Sequence, residues 1–219
     1  MMKRALTITG AAAAAALAWG AASSASADVS FCHHNGACNI DGENVHFGAD
    51  DDGDPNVVIG WVQGGSVDVI FTGKEAITTS QQGGGVAWVV PQDGQFFTLE
   101  VSLEPGYTFR SIAWRLDAPE GRGPPSAWAI DLFGYDLNDT EYTEHYSGIT
   151  QDQFFSIVAT KTTTRLTRIS FTTDSPIEAT AQWKIGGIQA VPEPTTWALM
   201  IAGFGGAGAM LRRRRAALA

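Results

Sequence analysis

The sequence predicts an all-β protein, an antiparallel two-sheet sandwich with a jelly-roll-like arrangement, and three observations lead there. Short apolar or alternating runs recur along the 219 residues: NVVIGWV, SVDVIFT, GVAWVV, QFFTLEVSL, YTFRSIAWRL, SAWAIDLFG, FFSIVAT, RLTRISFTT and ATAQWKIGGI. Turn residues separate them, among them Gly64-Gly65, Gly83-Gly84-Gly85, Asp93-Gly94, Pro105-Gly106 and the stretch from Glu120 to Pro125. Between the two ends nothing reads as a helix longer than about ten residues. Many short strands with regular turn signals describe a sandwich rather than an α/β fold.

Taken in order, the chain opens on an address. Residues 1–27 have a basic start at Lys3 and Arg4, an alanine-rich apolar core, and the small-residue ending Ala25-Ser26-Ala27. This is the pattern of a secretory signal peptide, and it places the mature start at Asp28. The exported region, residues 28–190, then holds eight Lys and Arg against 22 Asp and Glu, a net charge near −14, more acidic than the −9 of the whole chain. Such a surface repels nucleic acid and anionic headgroups, so no nucleic-acid partner is expected. Cys32 and Cys38 follow at once, in FCHHNGACN. Two close cysteines in an exported chain most simply pair, closing a small loop that stabilises by about 2 kcal/mol.

The strand runs come next. In QFFTLEVSL the period of two puts Phe97, Leu99, Val101 and Leu103 on one face, with Thr98, Glu100 and Ser102 on the other. That is an antiparallel strand with one dry and one wet side. From Arg168 onward RLTRISFTT turns Ile169 and Phe171 inward. Asp93-Gly94 between VAWVV and QFFTLEV carries a strong hairpin signal. The segment from Asn138 to Tyr146 is the best candidate for a short helix or loop.

The last 29 residues are a second address. Pro192 and Pro194 hold the backbone extended. Thr195 to Leu211 is apolar or small, long enough for a helix of about 25 Å, expected to be a single membrane-spanning segment. Arg212, Arg213, Arg214 and Arg215 would stay on the cytoplasmic side. Pro192, Glu193, Pro194, Trp197 and Ala198, then a glycine-bearing apolar helix and a basic end, resemble the PEP-CTERM sorting tail in its PEPxxWA form. The resemblance implies a Gram-negative host and a transient anchor in the inner membrane. It also implies an exosortase-type processing enzyme as partner, with delivery to the cell surface or an exopolysaccharide-rich biofilm matrix. It divides the chain into a signal peptide at 1–27, a β-sandwich at 28–190 and a sorting tail at 191–219.

Chemistry inside the domain is sparser. Asp50, Asp52 and Asp54 cluster about Gly53 in the manner of an oxygen-ligand calcium loop, but the glycine is displaced from the EF-hand position and no bidentate Glu follows; calcium is the one cofactor this leaves open. His33, His34 and His46 lack standard metal-ligand spacing with Cys32 or Cys38. Glu100 with Glu104, and Asp136 with Asp139, could be read as glycosidase pairs. Yet four residues along a strand separate Glu100 from Glu104 by about 13 Å. No G-x-S-x-G, H-E-x-x-H or G-x-x-x-x-G-K occurs. The expectation is a non-enzymatic surface or matrix protein, with a carbohydrate-binding module second and a polysaccharide-modifying hydrolase third. Of Trp61, Trp88, Trp114, Trp128 and Trp183, the one placed to stack on extracellular polysaccharide is Trp128, which follows the loop GRGPPSA.

Overall fold

In a computed structural model the described residues are 28–34, 38, 40–48, 53–82, 86–117, 127–150, 152–191, 199–206, 210 and 212. The strands in chain order are β1 (Val29–His34), β2 (Glu43–Asn44), β3 (His46–Phe47), β4 (Val57–Val62), β5 (Val67–Gly73), β6 (Ile77–Gln82), β7 (Val86–Pro91) and β8 (Phe96–Leu103). After these come β9 (Tyr107–Thr108), β10 (Ser111–Asp117), β11 (Trp128–Asp136), β12 (Glu141–Ile149), β13 (Gln153–Ala159), β14 (Leu166–Ile177), β15 (Ala179–Gly186) and β16 (Gln189–Ala190).

They build the expected antiparallel sandwich. Sheet I runs β1-β13-β10-β15-β7-β6, with β2 also paired to β15; sheet II runs β12-β11-β14-β8-β5-β4-β3; β16 and β9 form a separate ribbon. Alternation supplies the inner faces. Val67, Val69 and Phe71 of β5, and Leu99, Val101 and Leu103 of β8, turn in from sheet II against Ile112, Trp114 and Leu116 of β10 and Trp183 and Ile185 of β15. At the centre the Trp114 and Trp183 rings stack 5.3 Å apart, 13° from parallel, with Phe155 and Phe171 at 5.9 and 6.0 Å from Trp114. Burying each such ring stabilises by roughly 1.5–3 kcal/mol; Trp114, Trp183 and Phe155 come from sheet I, and Phe171 and Phe71, the latter 5.1 Å from Trp183, meet them from sheet II. Trp183 satisfies its indole N–H on the Thr180 hydroxyl at 3.0 Å.

Four expectations are corrected. Asp93-Gly94 does make a turn, with Gly94 at φ 92° and the Asp93 carboxylate accepting from the Gln95 amide, but it is no hairpin. It carries the chain from β7 in sheet I to β8 in sheet II, because β7 pairs with β6 and β15 while β8 pairs with β14 and β5. The candidate short helix or loop of residues 138–146 is a turn only as far as Thr140; from Glu141 it is strand β12, paired with β11. Asp136 Oδ1 accepts from the amides of Asn138 and Thr140 and folds that turn back, and alternation in EYTEHYS then continues as strand. In β8, Phe96 rather than Phe97 is buried, because the register with β14 slips between Thr172 and Ile177, turning Phe97 outward at 38% exposure. Trp128 is 2% exposed, packed in the core 6.5 Å from Phe155. It is the first residue of β11 and faces inward, so the Gly-Pro-rich stretch before it does not leave it on the surface.

Candidate functional site

Cross-strand register decides which side chains share a face, and on sheet II it assembles an outward row of aromatic and polar groups. Tyr135 of β11 lies opposite Glu141 of β12 and Arg168 of β14; Phe133 lies opposite Thr143 and Ser170; Asp131 lies opposite His145 and Thr172. Across β8 the row continues through Ser102, Glu100 and Thr98. Further along, Trp61 of β4 stands opposite Asp68 and His46, its ring 6.3 Å from the His46 ring. Phe97 joins the same face through the register slip.

Specific contacts hold these groups. The Arg168 guanidinium sits 4.1 Å over the Tyr135 ring, a cation–π contact. It also pairs with Asp139 at 2.9 Å and, more loosely, with Glu100 at 3.9 Å. Tyr135 donates its hydroxyl to Glu141 at 2.9 Å. Partial burial first, and then the neighbouring Glu141, push the phenol above its ordinary pKa, so it remains a donor. Asp131 and His145 Nδ1 meet at 2.7 Å.

Among the described residues, part of the outer side of sheet I is covered and that of sheet II is not. A disulfide joins Cys32 to Cys38. From it the chain crosses the outer side of the sheet, with Cys38 Sγ 3.5 Å from the Phe154 carbonyl oxygen and Val45 donating its amide to Trp183 O at 2.9 Å. The outward residues beneath are small and buried, Ser111, Ala113 and Ser156; beyond them Ala181 lies opposite Arg115 and Trp88, where the guanidinium sits 5.6 Å over the indole. At Gly186 the approach is so close that a Cβ would collide with the Asp41 carbonyl. A shallow cleft remains beside this crossing, lined by Ile40, Asp41, Arg110, Ser111, Val158 and Gly187.

The remaining expected sites separate. Asp54 is exposed and its Oδ1 accepts from the Asn56 amide at 2.9 Å, an Asx turn, while Asp50 and Asp52 lie outside the described residues. Among the described residues no group of three His, Cys, Asp or Glu is placed to hold a metal ion. His33 faces inward, its ring 5.2 Å from Phe155 and 4.9 Å from Tyr146, whereas His46 belongs to the other sheet. Burial pushes the His33 pKa below its ordinary value, with a Gln153 hydrogen bond opposing. Asp136 is also far from acid-catalyst chemistry: burial would raise its pKa, but amide donors from Thr140 and Asn138, with the Thr140 and Tyr142 hydroxyls, hold it below the ordinary value. Glu104 accepts from the Asp68 amide, and Glu100 faces Arg168.

At the carboxyl end, Pro192, Glu193, Pro194, Trp197, Ala198, Arg213, Arg214 and Arg215 lie outside the described residues, as do Gly83 to Gly85 and the signal segment. Residues 199–206 are helical, with Leu199, Ile201 and Phe204 more than 70% exposed. Among the described residues no helix is long and apolar enough to cross a membrane.

The row on sheet II escaped sequence reading because WAIDLFGYD is apolar on both faces. Ile130 and Leu132 point in while Phe133 and Tyr135 point out, so period two has no phase there. Pairing Tyr135 with Arg168 would have needed the register.

A variant of a Family 29 carbohydrate-binding module, solved to probe its ligand recognition, is similar over 74% of this chain and 85% of its own, at 15% identity and a TM-score of 0.31. No curated protein matches. Residues 190–215 match the PEP-CTERM protein-sorting motif. The chain thus carries a PEP-CTERM sorting tail, which implies export and processing by an exosortase.

Proposed function

We propose that the β-sandwich is a non-enzymatic component of the cell surface or extracellular matrix of a Gram-negative bacterium. It is held in the inner membrane by the apolar tail segment until an exosortase-type enzyme removes the tail near Pro192–Pro194. The observation that carries this reading is the sorting motif joined directly to a disulfide-bonded, strongly acidic β domain. The test is mass spectrometry of the protein recovered from outside the cell. Its last residue is expected near Pro194, and tryptic peptides reaching Arg212 would refute the reading.

A second reading has its own support. The outer face of sheet II, over which no described segment lies, gathers Trp61, Phe97, Phe133 and Tyr135 among hydroxyls, carboxylates and Arg168, and such a face suits a polysaccharide: ring faces stack on sugar C–H surfaces while the polar groups meet hydroxyls. With Glu100, Asp131, Glu141 and Asp68 on that face, an anionic polymer would be repelled. Binding of the processed protein to the host's own neutral exopolysaccharide, lost in Phe133→Ala/Tyr135→Ala, is the expected result. Absence of saturable binding leaves the first reading alone.

A further inference from the structure

The sorting motif does not begin after a linker. Its match starts at residue 190, which is the second residue of β16. Gln189 lies opposite Thr108 and Ala190 opposite Tyr107. Val191 donates its amide to the Gly106 carbonyl at 2.7 Å, and the Thr108 hydroxyl donates to Gln189 O at 3.2 Å. The next residue is Pro192. The last backbone hydrogen bond among the described residues of the domain and the first proline of the motif are therefore adjacent.

The two strands of this ribbon are unequally fixed. β9 is anchored: Thr108 and Phe109 are buried, and Phe109 exchanges backbone hydrogen bonds with Leu166 at 3.0 and 2.8 Å. β16 is held by β9 alone among the described residues, and Gln189 and Ala190 are exposed. Past Val191 the ladder finds no partner, because Glu104 is turned away, its carbonyl accepting from the Tyr107 amide and its own amide donating to Asp68 O, so Val191 is the point from which the ribbon frays. An enzyme acting on an extended segment grips backbone on both sides of the bond it breaks, as in strand addition. The residues it must grip upstream of the prolines are the ones β9 already holds.

We propose that the β9–β16 ribbon is a latch on processing. The enzyme engages the chain only while β16 is released from β9, so the opening of this ribbon, and not the tail alone, sets the rate. This rests on the reading of the chain as a substrate cut near Pro192–Pro194.

The test is a staple, Tyr107→Cys/Ala190→Cys, in the full-length chain expressed in a host that processes the wild type. The pair is directly opposed and flanks the bonded Gly106–Val191 position, the geometry in which cross-strand side chains come closest. Loss of the basic end is followed by mass spectrometry. With the staple oxidised, processing is expected to slow by about tenfold or more, as for any reaction that requires local opening. Reductant returns it to the rate of the two single-cysteine variants under the same reductant. A flexible Gly-Ser insert between Val191 and Pro192 is expected to restore processing with the staple closed. A stapled chain processed at the wild-type rate overturns the latch, and so does one that the insert fails to rescue. A wild-type chain that keeps its tail overturns the underlying processing reading before any variant is made.

Discussion

The two sheets bury similar inner faces, yet their outer faces have been used differently. Over part of sheet I the outward residues are small, Ser111, Ala113 and Ser156, and the segment running on from the Cys32–Cys38 disulfide lies across them, while beyond it Arg115 sits over the Trp88 ring. Sheet II carries Phe133, Tyr135, Arg168 and Trp61 outward, and no described segment lies over them. Small side chains on a sheet invite a second layer of backbone to approach; large amphipathic ones keep it off while remaining half-wet. Among the described residues, then, part of one outer face carries a second layer of chain and the other does not.

That contrast can be broken first at Gly186. Gly186→Ala puts a methyl group into the Asp41 carbonyl and the Ser111 hydroxyl. A loss of about 2–3 kcal/mol is expected in denaturant unfolding; a loss below about 0.5 kcal/mol would mean that the crossing segment sits loosely and that sheet I is open too. Next in size is the disulfide: Cys32→Ser/Cys38→Ser should cost about 2 kcal/mol by the same measurement, and no change would remove the staple from the account of sheet I.

Acidification sharpens the comparison at the edge where β1 of sheet I meets β12 of sheet II. His33 is the group there, and its folded pKa lies below 6.5 because of burial. The unfolded chain then binds more protons between the folded value and 6.5, so stability is complete above about 6.5 and declines as pH falls through the folded pKa. Thermal unfolding from pH 7.5 to 5 is expected to show that decline, and His33→Phe to flatten it; an equal slope in both proteins would assign the effect elsewhere. The smallest stability change is expected on sheet II, where Phe133→Ala/Tyr135→Ala should cost only about 1 kcal/mol while removing glycan binding. A much larger loss would mean that this face is structural like its counterpart.

How much of this was legible follows from what period and turn chemistry can encode. The alternation in β8 from Leu99 to Leu103, and Ile169 and Phe171 in β14, fixed strand type and buried face, since a one-residue slip would expose every apolar group. Asp93-Gly94 announced a turn, but a turn residue specifies only local dihedral angles; whether the flanking strands pair depends on which apolar faces meet across the whole molecule. β12 hid because the residues on its core side, half-buried Tyr142 and Tyr146 with exposed Glu144 between them, are amphipathic rather than aliphatic and gave no strong period. Trp128 was misplaced because proximity to a Gly-Pro-rich stretch says nothing about which face of the next strand a residue occupies. The sorting tail was readable without any fold, because its recognition is written in consecutive residues, and the ribbon that holds it was not, because β9 lies far upstream in the chain.

That distance has a kinetic consequence. β1 must wait for β13, β2 for β15, and β9 for β16. Sandwiches dominated by such non-local pairings fold slowly, on the order of milliseconds to seconds. A chain delivered across the membrane from its N-terminus has its sorting tail in place at about the moment its last ribbon first becomes able to form. On the latch proposed above, the prolines are preceded by unpaired backbone for that interval and folding competes with processing, so variants that fold more slowly should lose their tails sooner, as mass spectrometry of the tail over time would show.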